Sequence, residues 1–129
     1  MSDEAKEAPK GEGAKTYTGG CHCGKVRFEV TTALTECMAC NCSICSMKAA
    51  LLTFVGGSQF KLLSGQDALS DYQFNKKHIH HLFCSTCGVQ SFGSGATPDG
   101  GEMYAVNVRC LDGVDTAGLT VTNFDGKSL

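Results

Sequence analysis

Three clusters of cysteines carry most of the potential chemistry of this chain. They hold eight of its nine cysteines and read Cys21-His-Cys23, Cys37-Met-Ala-Cys40-Asn-Cys42-Ser-Ile-Cys45 and Cys84-Ser-Thr-Cys87. Spacings of C-x-C and C-x-x-C bring the sulfurs of one tight turn close enough to share a metal ion, and thiolate-bound zinc is tetrahedral with Zn–S distances of about 2.3 Å. The clusters therefore suffice for one four-thiolate site and a second site with three or four sulfurs.

The cellular compartment decides between metal binding and disulfide formation. Clustered cysteines form disulfide frameworks in secreted chains, whereas in a reducing compartment the same spacings are typical of metal ligands. The sequence shows no signal-peptide core and no apolar run of transmembrane length, and its nine cysteines are an odd number. We therefore predict a soluble, cytoplasmic protein whose cysteines bind zinc. The formal net charge of −2, without basic runs, indicates neither nucleic acid nor membrane as a partner.

The sulfurs can be grouped in two ways. In the first, the two flanking pairs form a closed site and the central cluster supplies three thiolates, so that one position of the second zinc stays open. The two sets are then Cys21, Cys23, Cys84 and Cys87, and Cys40, Cys42 and Cys45. In the second grouping Cys37 completes the central cluster, and both sites are closed and structural. Local spacing does not separate the two: closed sites are common in small cysteine-rich domains, whereas the run C-x-C-x-x-C is unusual for a zinc ribbon.

The elements that must position these cysteines are predominantly short strands. Val26, Phe28 and Val30 alternate with polar residues, which is the period of a half-buried strand. Further β-type segments cover residues 49–55, 60–63, 69–74, 78–83, 89–92, 103–109 and 120–124, separated by glycine-rich turns. No long amphipathic helix is evident. We predict one all-β domain of several short antiparallel strands over residues 16–129, preceded by a flexible N-terminal tail over residues 1–15 that mixes Lys, Glu, Gly and Pro.

Motifs at all three clusters resemble those of the glutathione-dependent formaldehyde-activating enzyme family. The matching segments are Gly20-Cys-His-Cys-Gly24-Lys-Val-Arg-Phe28, Cys40-Asn-Cys-Ser-Ile-Cys45 and Phe83-Cys-Ser-Thr-Cys-Gly88-Val-Gln-Ser-Phe92. Their order and spacing fit the family from about residue 16 to the C-terminus. Two further segments, Phe60-Lys-Leu-Leu-Ser-Gly65 and Tyr72-Gln-Phe-Asn75, look more like the branch that contains centromere protein V.

The resemblance implies a small zinc-stapled fold, often called a β-tent, with one structural and one catalytic zinc ion. Carried over by position, the structural ligands are Cys21, Cys23, Cys84 and Cys87, and the catalytic ligands are Cys40, Cys42 and Cys45. The implied reaction is that of a carbon–sulfur lyase, which joins glutathione to formaldehyde and gives S-(hydroxymethyl)glutathione. Cys37 departs from this pattern, because its sulfur could close the second site.

Two other functions compete with this interpretation. A non-catalytic zinc module for structure or protein interaction would agree with the centromere-protein-like segments and with a ligand role for Cys37. A methionine-sulfoxide-type reductase would combine paired C-x-x-C zinc sites with a separate reactive thiol, for which Cys110 is the candidate. The simpler interpretation of Cys110 is a small buried apolar residue.

Basic side chains are the candidates for binding the carboxylates of glutathione. They are Lys48, Lys76, Lys77 and Arg109, and each taken alone is better explained as a solvated charge. His81 is a candidate donor beside a zinc ligand, although at least two of the three histidines at 78, 80 and 81 are expected to face solvent or pack.

Overall fold

A computed structural model describes residues 14–74 and 77–125 of the chain. All nine cysteines lie in these ranges, and all nine are free thiols. The predicted tail over residues 1–15 falls almost entirely outside the described residues, as does Lys76. The boundary between tail and domain therefore stays a prediction.

The described residues form ten strands and one short helix. In chain order these are β1 Lys15–Gly20, β2 Arg27–Thr32, β3 Glu36–Cys40, α1 Ser43–Lys48, β4 Leu52–Gly56, β5 Phe60–Ser64, β6 Leu69–Tyr72, β7 Ile79–Cys84, β8 Phe92–Ala96, β9 Glu102–Asn107 and β10 Thr120–Phe124. Four single 3-10 turns, Gly57–Gln59, Gln66–Ala68, Val108–Cys110 and Thr116–Gly118, connect them. The all-β prediction is confirmed. Within the described ranges no helix is long and apolar enough to cross a membrane.

The strands form two sheets. One has three strands in the order β1-β2-β5, and the other has seven in the order β10-β3-β4-β9-β8-β7-β6. Neighbouring strands are antiparallel as predicted, except that β10 pairs with β3 in parallel. This pairing brings the end of the described chain beside the strand that leads into the central cysteine cluster.

The predicted strands agree best where alternation is clear, and four predictions are wrong at their ends. The segments 69–74 and 103–109 end as strands two residues early, at Tyr72 and Asn107. The segment 49–55 begins as a strand only at Leu52, because Ala49 adopts a left-handed conformation (φ 55°) that ends α1. The segment 89–92 becomes a strand only at Phe92. The carbonyl of Val89 instead accepts the amide of Cys84 at 3.1 Å, which completes the cysteine turn.

An aromatic core joins the two sheets. Phe28 of β2 is fully buried, and its ring lies 5.1 Å from that of Phe60. Phe60 in turn lies 4.7 Å from Phe92 and 4.3 Å from Tyr104, so that β2 and β5 pack on β8 and β9. Aromatic pairs at such separations contribute beyond the area that they bury. The core therefore covers one face of the seven-stranded sheet and leaves the other face to the site described next.

Candidate metal centres

The two flanking cysteine pairs meet in one group of four sulfurs. Cys21 and Cys23 come from the turn between β1 and β2, whereas Cys84 ends β7 and Cys87 follows in the next turn. The four Sγ atoms lie within 4.8 Å of one another, and the Cys21–Cys23 and Cys23–Cys84 sulfur distances are both 3.7 Å. Four sulfurs at about 2.3 Å from a tetrahedral ion lie about 3.8 Å apart. The group therefore has the donor set and the spacing for a closed thiolate site.

Backbone amides support at least three of these sulfurs. The amide of Val26 donates to Sγ of Cys21 at 3.3 Å, and the amide of Thr86 donates to Sγ of Cys84 at 3.4 Å. The pKa of the Cys87 thiol falls to about 6, chiefly because the backbone amides of Val89 and Cys23 stabilise its thiolate. Thiolates are the form in which cysteines bind metal, so these amides favour the ligating state.

A glycine follows each of these two cysteine pairs in the left-handed conformation. Gly24 has φ 86° and Gly88 has φ 82°. A side chain at these positions would strain the backbone, since only glycine adopts such angles without cost. The amides of both glycines bond back to the first cysteine of the pair: Gly24 to the Cys21 carbonyl at 3.3 Å and Gly88 to the Cys84 carbonyl at 2.7 Å. Both turns are therefore closed by a left-handed glycine, although the second is one residue longer.

The central cluster contributes a second group, of three sulfurs. Cys40 ends β3, Cys42 is the N-cap residue of α1, and Cys45 lies in the first turn of α1. Their Sγ atoms lie within 4.8 Å of one another. Positions three apart at the start of a helix lie on the same face, so α1 directs Cys42 and Cys45 to one point. Sequence reasoning missed this helix because six residues are too few to show an apolar period.

Electrostatics in the three-sulfur group call for a compensating positive charge. Burial, together with the neighbouring Cys42 and Cys40 sulfurs, raises the pKa of Cys45 to about 12. The pKa of Cys42 lies below its usual value: burial raises it, but the amides of Cys45 and Ile44 and the adjacent thiols outweigh burial. Three close sulfurs cannot all ionise alone, whereas a bound cation would stabilise all three as thiolates.

Cys37 takes no part in either group. Its side chain is buried in the apolar core, and burial raises the pKa of its thiol. The reason is the conformation of β3, in which Cys37 and Cys40 both lie. Successive side chains of a strand point to opposite faces, so residues three apart face away from each other. The C-x-x-C spacing brings two sulfurs together in a turn but separates them here.

The three sulfurs lie at the margin of a large cavity. Its volume is about 690 Å³, within the usual range for small-molecule sites. Its floor is the uncovered face of the seven-stranded sheet, and α1 contributes Ile44, Cys45 and Lys48 to its wall. Sequence reasoning did not identify the floor, because it is assembled from residues of six strands that are spread over positions 38–124 of the chain.

Few polar side chains face this cavity. Lys48 lines it and donates a hydrogen bond to the side-chain oxygen of Gln90. His81 also lines it, with Nδ1 lying 2.9 Å from the carbonyl oxygen of Tyr72. Since a carbonyl only accepts, Nδ1 carries the hydrogen and Nε2 of the neutral ring keeps its lone pair. His81 is therefore a cavity residue, whereas His80 pairs with Asp71 at 2.6 Å.

The remaining candidates lie away from the cavity. Arg109 lines a second hollow, which Cys40 and Cys45 also line, and Lys77 is exposed. Cys110 is half-buried, and burial together with the Cys21 and Cys87 sulfurs raises the pKa of its thiol to about 11. A reactive cysteine needs a lowered pKa, so this environment disfavours a redox role for Cys110.

Comparison with known proteins gives a matching family and a similar solved structure. A family model described as glutathione-dependent formaldehyde-activating enzyme matches residues 16–124. Among solved structures, the crystal structure of a Rhodobacter sphaeroides protein is similar, with 31% sequence identity and a TM-score of 0.70. That match covers 81% of this chain and 99% of the other. The resemblance noted in the sequence is confirmed, and the chain belongs to the glutathione-dependent formaldehyde-activating enzyme family.

Proposed function

We propose that the chain binds two zinc ions, one for stability and one for chemistry. The group of Cys21, Cys23, Cys84 and Cys87 offers the full set of tetrahedral thiolate ligands and ties two distant parts of the chain together. The group of Cys40, Cys42 and Cys45 supplies three ligands, which leaves one of four positions for a substrate. The all-sulfur donor sets favour zinc among the common cellular metals.

The proposed activity is the condensation of glutathione with formaldehyde to S-(hydroxymethyl)glutathione, in the cytoplasm. The observation that supports it is that these three central sulfurs line a cavity, whereas Cys37 is buried in the core. When bound, zinc would keep a substrate thiol in its thiolate form at neutral pH and fix its position. A site closed by four protein sulfurs would have no such role.

Two cavity residues have proposed parts in the reaction. The thiol sulfur attacks the aldehyde carbon, a carbon–sulfur bond forms, and the electron pair of the C=O double bond moves to oxygen, which then takes up a proton. His81 can accept the thiol proton at Nε2 and return it to that oxygen. Lys48, three residues after Cys45 on α1, can pair with a substrate carboxylate beside the sulfur.

Because the uncatalysed addition of thiols to formaldehyde is easy, the test must measure acceleration and not product alone. NMR exchange spectroscopy at low reactant concentration gives the rate of interconversion of glutathione and its hydroxymethyl adduct with and without the zinc-loaded protein. We expect acceleration that Cys42→Ser abolishes and that Cys37→Ser, a matched cysteine outside both groups, retains. If the wild-type protein produces no acceleration, the site is a non-catalytic zinc module and the proposal is wrong.

A further inference from the structure

The cavity floor is apolar and is organised in rows across the sheet. Strand register aligns the cavity-facing residues in rows that lie at increasing distance from the three-sulfur group. The middle row consists of Phe54, Ala105, Gly93 and His81, and the far row consists of Met103, Gly95 and Ile79. Met103 of the far row pairs with Gly56 of β4. Leu52 precedes Gly56 by four residues, so the far row lies about 13 Å from Leu52 along the strand, at a rise of about 3.3 Å per residue. The floor therefore extends from the three-sulfur group as an elongated surface.

Large apolar side chains remain exposed along this floor. Phe54 is 36% exposed, Met103 42% and Ile79 49%, and all three line the cavity. Gly93 and Gly95 lie between them and contribute no polar side chain to the floor. A contiguous apolar surface of this kind beside polar groups is typical of a binding site. The floor thus favours an apolar ligand body.

Charge in the cavity is sparse and lies at the sulfur end. Among the described lining residues Lys48 is the one lysine or arginine, and none is a carboxylate. Glutathione carries two carboxylates and an ammonium group. Only one carboxylate can pair with Lys48, and an unpaired charge placed over an apolar floor loses hydration without compensation. The ammonium group finds no carboxylate partner among the described lining residues.

We infer, building on the proposed function, that this site takes thiols with one carboxylate near the sulfur and an elongated apolar body, in preference to glutathione. The carboxylate pairs with Lys48, which lies one helical turn after Cys45, and the apolar body lies along Phe54 and Ala105 toward Met103. Glutathione remains a substrate, but its second carboxylate and its ammonium group stay at the open rim of the cavity.

A series of three thiols tests this inference by direct binding. Isothermal titration calorimetry on the zinc-loaded full-length protein compares N-octanoyl-cysteine, N-acetyl-cysteine and glutathione. The first two share the thiol and the single carboxylate and differ only in six methylene groups. We expect N-octanoyl-cysteine to bind at least about tenfold more tightly than either of the others, even if only part of its acyl chain is buried.

Ala105→Leu checks the position of the apolar body. Ala105 faces the cavity opposite Gly93, so a leucine fills the middle of the floor without contacting the sulfur groups. We expect the advantage of the octanoyl chain to fall below about threefold, while N-acetyl-cysteine binds as before. Ala117→Leu, an exposed alanine outside the cavity, is the matched control and should leave both affinities unchanged.

The outcomes separate the inference from the proposed function. Equal affinities for N-octanoyl-cysteine and N-acetyl-cysteine, or tighter binding of glutathione, overturn the inference whatever the activity. Tight binding of N-octanoyl-cysteine without acceleration of any thiol–formaldehyde reaction supports the inference about binding and overturns the proposed catalysis. A dimer in sedimentation analysis that Ala105→Leu dissociates would show that a second copy covers the floor, and this too would overturn the inference.

Discussion

The position of Cys37 gives the sharpest prediction. We expect Cys37→Ala to keep both zinc ions and the full thiol–formaldehyde activity, because its sulfur belongs to the core and not to either metal group. The alternative, in which Cys37 is the fourth ligand of the central zinc, predicts the opposite. The same substitution therefore distinguishes an open site from a closed one.

The size of the effect follows from burial. Cys37 is 3% exposed, and its substitution by alanine removes one sulfur atom from the core. Loss of a buried group of this size costs about 0.8 kcal/mol in transfer free energy, and the remaining cavity brings the total to about 1–2 kcal/mol of unfolding free energy. If Cys37 instead closed the central zinc site as a structural ligand, its removal would cost several kcal/mol, because metal binding at a structural site contributes directly to folding free energy.

Denaturant unfolding and zinc analysis measure both quantities on the same preparation. Cys45→Ala is the matched control, since it makes the same chemical change at a residue of the three-sulfur group. We expect Cys45→Ala to lose one zinc per chain and all activity, whereas Cys37→Ala loses neither. If Cys37→Ala also loses one zinc, the assignment of an open central site is wrong.

Three further predictions concern other residues. Cys84→Ser should lower the free energy of unfolding by several kcal/mol, whereas Cys42→Ser should abolish activity and change the free energy of unfolding much less. If denaturant titrations show equal destabilisation by the two substitutions, the central site is structural too. Cys110→Ser should leave turnover and sensitivity to peroxide unchanged, because the raised pKa keeps this thiol protonated at neutral pH. If the variant resists peroxide better than the wild-type protein does, the methionine-sulfoxide-type reductase becomes the better hypothesis. His81→Phe keeps a ring beside Phe74 but removes the proton-accepting nitrogen. The kcat should therefore fall about tenfold or more while the zinc content stays the same. An unchanged kcat would exclude the proposed proton transfer.

The strands and the cysteine turns were predictable because their signals are local. Phe28 and Val30 of β2 show the period of two, and the glycines after Cys23 and Cys87 indicate turns with positive φ. The sequence also contains the information that separates Cys37 from Cys40, since residues three apart on a strand face opposite ways. Applying that rule required knowing that residues 36–40 form β3, and their mixed composition gives no clear alternation.

The cavity could not be predicted in the same way. Its floor joins Phe54, Ala105, Gly93 and His81 into one row, and these residues come from four strands separated by up to 51 positions in the chain. Sheet order and register fix this row, and neither is encoded in a short window of sequence. The parallel pairing of β10 with β3, which brings Phe124 beside Cys40, is non-local for the same reason.

The central claim, an open metal site of three protein sulfurs, is tested most directly by crystals soaked with glutathione and measured at the zinc absorption edge. The anomalous map locates each zinc, and the electron density counts the sulfurs around it. We predict that one zinc has Cys21, Cys23, Cys84 and Cys87 as ligands, and that the other has Cys40, Cys42, Cys45 and the sulfur of glutathione. A fourth protein sulfur on the second zinc, with no glutathione bound, would contradict the account.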